Sequence, residues 1–381
     1  MDAINTIGPV GFVRPTWCEI DLSAIDHNIA QIRSLTGDAV QVYVCMKGDA
    51  SGCGAVPVAL RAGKAGASGL TFGNIDVAIS CREAGSTLPI LLYPGCLPEQ
   101  APILERYDLQ PTISTLEDVK AWSARVGTRL SVFIKIDSGG FRAGAFPHQV
   151  AEVARAVVDS GNLHLAGVYG HALSAYGGAV AGFVDQQIAN FVTGIEALQE
   201  AGIAVPLRMC SSSELLLSHP GADFNAVDPG RLVAGIGFKA VPERIRAWRP
   251  ALVGLKSRLV MVKSLDRHDG VAAPPFFVLR PGMRLGLVPF GWGDGHPRHL
   301  SPDAHVLIRG RKAPLLGPVH SELLRIDLTD IPDAQLGDEV VFIGRSGRYE
   351  LTVDDLAAQW REPAHDVYWR IGKTVHRVYV S

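Results

Sequence analysis

The segment Val42-Tyr43-Val44-Cys45-Met46-Lys47-Gly48-Asp49-Ala50-Ser51-Gly52-Cys53-Gly54 carries an apolar, strand-like run to a single lysine and releases it into a glycine-punctuated loop. A lysine so placed can be a structural cation. It can equally be the amine that holds an aldehyde as a Schiff base, because burial and neighbouring charge can lower its pKa and free the nitrogen for attack. Other apolar runs also end in reactive side chains. Ile134-Lys135-Ile136-Asp137-Ser138-Gly139-Gly140-Phe141-Arg142 brings Lys135, Asp137 and Arg142 together, and Val168-Tyr169-Gly170-His171 delivers an aromatic and an imidazole. Two further runs end in Cys210-Ser211-Ser212-Ser213-Glu214 and Val227-Asp228-Pro229-Gly230-Arg231.

The elements that must position these groups follow from the hydrophobic period. Short apolar runs fall near 41–45, 69–72, 89–93, 109–113, 130–137, 165–171, 207–210 and 227–235. Helical periods lie between most of them, at 23–34, 74–83 with Asn74 as N-cap, 115–126, 148–158 and 184–198. Strand–helix units repeating in this way predict a (β/α)8 barrel over 1–245. A doubly wound sheet is the alternative, but no GxGxxG follows an early strand, so a dinucleotide site has no support. After about Trp248 the segments become short and β-branched, separated by turns such as Arg267-His268-Asp269-Gly270, Arg280-Pro281-Gly282 and Gly344-Arg345-Ser346-Gly347, which predicts a mostly-β domain over 246–381.

Barrels gather functional groups at the C-terminal ends of their strands, and the loops after strands seven and eight are the usual phosphate site. Here those loops hold Ser212, Ser213 and Gly230. Either serine could simply cap the helix that follows. A lysine at one strand end and a phosphate cradle at two others is nonetheless a joint pattern that a phosphorylated aldehyde such as pyridoxal 5'-phosphate requires.

Composition limits the rest. With 381 residues the chain exceeds one ordinary core, and 47% hydrophobic and 19% charged residues fit a packed enzyme. The net charge of −2 and the lack of a basic stretch mixed with aromatics argue against nucleic acid. No apolar run is long enough for a bilayer, so no membrane partner is expected. The six cysteines form no CxxC pair and no scaffold density, and the acidic start Met1-Asp2-Ala3-Ile4-Asn5 does not read as a signal peptide. A cytoplasmic protein with reduced thiols is expected, and no His/Cys ligand spacing suggests a metal.

Taken in order, these stretches resemble the alanine racemase family, fold type III pyridoxal-phosphate enzymes. The resemblance rests on Arg14-Pro15-Thr16-Trp17-Cys18-Glu19-Ile20-Asp21-Leu22, Met46-Lys47-Gly48-Asp49-Ala50, Ile136-Asp137-Ser138-Gly139 through Arg142, Gly167-Val168-Tyr169-Gly170-His171, and Gly291-Trp292-Gly293-Asp294-Gly295-His296-Pro297-Arg298. It implies that Lys47 holds the cofactor and acts as one of two proton-transfer bases. His171 would lie beside the pyridine ring, Ser212 and Gly230 would bind phosphate, and Arg142 with Lys135 would shape the substrate side. It also implies an amino-acid substrate and a homodimer in which the β domain of one subunit completes the other's site.

The chain departs from the family pattern at several positions. The family's second base is a tyrosine of the β domain, and the corresponding stretch here is Val271-Ala272-Ala273-Pro274. A phosphate-binding tyrosine is replaced by His365, and the Met-Asp pair near the substrate carboxylate corresponds to Ser321-Glu322. The arginine that usually meets the pyridine nitrogen is replaced by Asp228. A carboxylate there keeps the ring nitrogen protonated and makes the ring a stronger electron sink. Asp228-Pro229-Gly230-Arg231 is also similar to the Glu-Pro-Gly-Arg segment of fold type III basic amino-acid decarboxylases, in which the arginine lies near the phosphate. The first expectation is a racemase or epimerase acting at the α-carbon of an amino acid. The alternative is one-base quinonoid chemistry, a decarboxylase, a lyase or a carbon–carbon bond-forming enzyme, on the same scaffold.

Overall fold

The computed structural model describes residues 14–173, 182–237, 240–266, 271–274 and 277–381. The expected turn at 267–270 and the acidic start of the chain lie outside them. The chain divides into two compact units, Ala24–Arg249 on one side and Met1–Ser23 with Pro250–Ser381 on the other.

The first unit is a parallel barrel. Its strand segments are Gln41–Cys45, Gly69–Phe72, Ile90–Leu92, Leu109–Gln110, Thr112–Ile113, Leu130–Lys135, Leu163–Tyr169, Leu207–Ser211 and Ala226–Val227. They form a nine-segment sheet in which Ala226–Val227 pairs with Gln41–Cys45. The segments Leu109–Gln110 and Thr112–Ile113 stand at its two ends and flank Pro111. Proline has no N–H to give a ladder, so one strand is read as two, and the nine segments close as eight strands. The (β/α)8 architecture is therefore the one expected.

Apolar side chains buried on both faces make these runs strands rather than surface turns, as in Val42, Tyr43, Val44 and Cys45. Tyr43, Leu91, Phe133, Tyr169, Leu207, Met209 and Ala226 pack together in one core cluster. Gly69 is the price of that filling, since a Cβ there would sit 2.3 Å from the Tyr43 ring. The helices turn apolar stripes inward. Val150, Val153, Ala154 and Val157 are buried along Val150–Asp159, each valine contributing about 1.5–3 kcal/mol by burial. Asn74 caps Ile75–Glu83 by accepting from the amides of Asp76 (2.9 Å) and Val77 (3.3 Å), as its position suggested.

Two expectations change. The eighth strand does not run over 227–235. It ends at Val227, because Asp228 leads into Pro229, and the amides of Val233 and Ala234 then bond back to the Gly230 carbonyl in a turn. The strand Thr16–Asp21, inside the stretch 1–245 read as barrel, pairs instead with Leu252–Arg258 and His376–Val380 in the second unit. Its partners are more than two hundred residues away, beyond the reach of a local pattern.

The second unit is the mostly-β domain. Its ten-stranded sheet runs Met261–Ser264, Arg284–Val288, Leu324–Asp327, Arg311–Leu316, His305–Ile308, Glu339–Ser346, Leu252–Arg258, Thr16–Asp21 and His376–Val380, with Tyr349–Leu351 hung on Glu339–Ser346. Two helices, Val353–Trp360 and Ala364–Arg370, follow the last hairpin. A buried carboxylate organises one end of it. Asp294 takes both guanidinium nitrogens of Arg14 at 2.5 and 2.7 Å, the Thr374 hydroxyl at 2.9 Å and the Gly291 amide at 3.0 Å.

A candidate cofactor site at the strand ends of the barrel

Lys47 follows the strand Gln41–Cys45 and the buried Met46, and it is exposed. The chain then makes an unusual turn. Gly48, Asp49, Ala50 and Ser51 all adopt left-handed backbone angles, with φ of 61°, 59°, 56° and 55°. For the non-glycine residues this costs about 1–2 kcal/mol each. The Asp49 carbonyl and carboxylate offset part of it, accepting from Gly54 N at 2.9 Å and Ala55 N at 2.7 Å. Strain of this kind clusters at functional sites, and this turn directly follows Lys47. The Lys47 ammonium lies 4.7 Å from the centre of the Tyr93 ring.

Asp228 sits at the end of the neighbouring strand Ala226–Val227 and is 4% exposed. Its Oδ2 accepts a hydrogen bond from the Tyr93 hydroxyl at 2.6 Å, while Oδ1, equally buried, has no hydrogen-bond partner among the described residues. Burial pushes its carboxyl up to about 6, against the opposing pull of the Tyr93 hydrogen bond and the Lys47 and Lys135 charges. An orphaned buried acceptor is rare in a folded chain and marks a place for a donor. A protonated pyridine nitrogen is such a donor, so the residues present fit pyridoxal phosphate.

The other strand ends contribute positive charge and an imidazole. Lys135 closes Leu130–Lys135 with its ammonium 5.8 Å from the Tyr169 ring, and burial, then Arg142, lowers it to about 8. His171 follows Leu163–Tyr169. Burial first, then the charges of Lys47, Arg142, Lys135 and Arg231, lower it to about 3, so the imidazole is neutral at working pH. Arg142 is exposed at the tip of a loop that Asp137 ties down. The Asp137 carboxylate accepts from the amides of Gly139, Gly140, Phe141 and Arg142 at 2.8–3.1 Å, whereas Glu19 pairs with Lys256. The aspartate thus shapes the backbone that carries Arg142.

Of the two serines, Ser212 occupies the N-cap position of Ser213–Ser218 without a side-chain capping bond. Ser213 acts between loops, its Oγ accepting from the amides of Gly230 (3.0 Å) and Leu232 (3.3 Å). Gly230 packs against the lysine strand, where a Cβ would meet the Cys45 carbonyl at 3.0 Å. The loops after strands seven and eight are therefore locked to each other and to the strand that presents Lys47.

Lys47, Lys135, Arg142, His171, Ser212, Asp228, Gly230 and Arg231 all belong to the barrel unit. Ser321 and His365 belong to the second unit, where Ser321 is exposed and His365 pairs with Asp366 at 3.1 Å. His296 of the same unit is a core histidine, packed edge-on against Phe290 and Trp360. No group of three metal-binding side chains occurs among the described residues, and none of the described helices is long and apolar enough to cross a membrane. Sequence reasoning missed Tyr93 and its partner Thr71. Tyr93 directly follows the strand Ile90–Leu92, so the strand-end rule that singled out Lys47 would have reached it.

Comparison with known proteins identifies the family. Residues 20–237 match the family model "Alanine racemase, N-terminal domain" and residues 252–379 match "Alanine racemase, C-terminal domain". An alanine racemase of Desulfovibrio desulfuricans is 34% identical over 98% of this chain and 100% of its own, and one of Halothermothrix orenii is 31% identical over 96% and 97%. Among solved structures, an alanine racemase from Bacillus anthracis with bound L-Ala-P superposes with a TM-score of 0.87 at 26% identity, covering 98% of this chain and 96% of that one. An alanine racemase from E. faecalis gives 0.85 at 27% identity, covering 97% and 100%.

Proposed function

Because the chain belongs to the alanine racemase family and is a pyridoxal-phosphate-dependent racemase, we propose that it interconverts the enantiomers of alanine, with Lys47 and Asp228 at the centre of the site. The observation that carries this assignment is the pairing, on adjacent strand ends, of a presented lysine with a buried carboxylate whose second oxygen is unpartnered among the described residues.

When bound, the cofactor supplies an electron sink that makes the Cα–H bond of an amino acid acidic. Lys47 would hold the cofactor's aldehyde carbon and move the proton at Cα on one face. Asp228 would accept the ring N–H at Oδ1 and so keep the ring nitrogen protonated. His171, kept neutral by its surroundings, would pack beside the ring without adding charge to it. Ser212, Gly230 and Arg231, at the ends of the last two strands, would hold the phosphate. Arg142 and Lys135 would attract the substrate carboxylate, and in the dimer Ser321 would join the substrate side and His365 the phosphate. In this reading the molecule is a homodimer sharing its two sites, and it works in the cytoplasm, in keeping with six free cysteines.

The test is incubation of the purified, cofactor-loaded protein with L- and D-alanine, and with a panel of other amino acids, in deuterated water. Deuterium at Cα of both enantiomers of alanine is the expected result. Exchange confined to one configuration, or loss of carbon, would replace racemisation by the one-base chemistry that an acid at position 228 also suits.

A further inference from the structure

Tyr93 directly follows Ile90–Leu92, which in the sheet order Ile90–Leu92, Gly69–Phe72, Gln41–Cys45 is next but one to the strand that leads to Lys47, and its side chain touches both central groups of the site. Its ring carries the Lys47 ammonium at 4.7 Å, and its hydroxyl lies 2.6 Å from Asp228 Oδ2 and 2.7 Å from Thr71 Oγ1. A carboxylate only accepts, so the single phenolic proton goes to Asp228. The Tyr93 oxygen is then left to accept from Thr71. The three side chains form a chain of fixed direction, Thr71 to Tyr93 to Asp228, and it ends on the carboxylate whose other oxygen is unpartnered among the described residues.

We propose that Tyr93 is a positioning residue that, held by Thr71, orients Asp228 and weakens it as a base, so that a proton shared with the cofactor's pyridine nitrogen stays on the ring. The inference rests on the reading of Asp228 as the ring-nitrogen partner. Its physical basis is the competition for that proton. Burial alone makes Asp228 a stronger base, which would draw the proton off the ring. A hydrogen bond donated to the charged form works the other way, and a length of 2.6 Å is that of a charge-assisted O–H···O⁻ bond. Burial, then Asp228 and Cys45, hold the Tyr93 phenol well above its ordinary range, so it remains a donor throughout neutral pH. The other titratable groups facing Asp228 are Lys47, Lys135, Tyr169 and Cys210. The two lysines favour its anionic form as well, but neither fixes the direction of an oxygen as a hydrogen bond does.

The experiment is 15N NMR of the holoenzyme loaded with ring-15N pyridoxal phosphate, for wild type, Tyr93→Phe, Thr71→Val and Asp228→Asn. Each is nearly isosteric, and circular dichroism verifies the fold. Wild type should show the protonated-ring resonance. Tyr93→Phe should shift it toward the neutral-pyridine position by moving the shared proton about tenfold in favour of the carboxyl. Thr71→Val should shift it the same way by less, and Asp228→Asn should give the neutral position. In cofactor-free Tyr93→Phe, the infrared carboxyl band should titrate about one pH unit higher than in wild type. A wild-type resonance in Tyr93→Phe alongside a shifted one in Asp228→Asn would overturn the role of Tyr93 and leave Asp228 in place. A wild-type resonance in Asp228→Asn would remove the premise itself.

Discussion

Two buried aspartates, one in each unit, differ in how completely their oxygens are partnered. Asp294 is 1% exposed and Asp228 4%. Asp294 is surrounded by donors, with Arg14 on both oxygens and Thr374 and the Gly291 amide filling the rest. Asp228 has one hydroxyl on one oxygen and, among the described residues, nothing on the other. A buried charge that serves the fold is neutralised where it stands, because leaving it unpaired costs several kcal/mol. A buried acceptor left open is a place where an arriving donor can bind.

The largest effect is expected at the lysine beside the open acid. Lys47→Ala should lower turnover by roughly 10³-fold or more and abolish borohydride-stable cofactor labelling, measured by racemisation assay and absorbance. Next in size is the closed acid. Asp294→Ala leaves Arg14 and the Gly291 amide without their acceptor and should cost about 3–5 kcal/mol in urea unfolding. Asp228→Asn should cost no stability at pH 7, since the amide still offers Tyr93 an oxygen and leaves no buried charge behind, while losing function. Equal stability losses in the two variants would erase the distinction.

The pH dependence of the cofactor-free protein sharpens it further. Asp228 rises to about 6 in the folded chain from an ordinary 3.8, so folding takes up a proton between those values. Its contribution favours the fold below about pH 4 and is lost as pH rises through 6, on the order of 2–3 kcal/mol. His171 has the opposite sign. Lowered to about 3, it favours the fold above about 6.5 and loses that contribution as pH falls. Comparing wild type with Asp228→Asn and with His171→Gln between pH 4 and 7 should show the two slopes reversed. The smallest effect expected is at His365, whose replacement by alanine should weaken cofactor binding only a few-fold, within about 1 kcal/mol, as read by equilibrium dialysis.

Much of this was legible in the chain because the signals are local. The barrel strands are continuous apolar runs, Asn74 stands where a cap must stand, and Lys47 is conspicuous as the one charge at the end of Val42–Met46. Asp228 was singled out by its motif, but the Tyr93 and Thr71 hydroxyls beside it were not. Tyr93 is 135 residues from Asp228, and a tyrosine closing a strand reads as packing until its partner is known. The strand Thr16–Asp21 was hidden for the same reason, its pairing being set by segments at the far end of the chain. Ser213 illustrates a third kind of loss. A serine before a helix reads as a cap, and only the folded loops show its hydroxyl taking the amides of Gly230 and Leu232.

Among the described residues, Lys47 and Lys135 stand at strand ends of the barrel, and either could bear an aldehyde. Lys135, lowered to about 8, is the competitor to Lys47, because a deprotonated amine is the nucleophile. Borohydride reduction of the cofactor-loaded protein followed by peptide mass spectrometry decides between them. The pyridoxyl group is expected on the peptide that carries Lys47; its appearance on the peptide that carries Lys135 would contradict Lys47 as the cofactor lysine.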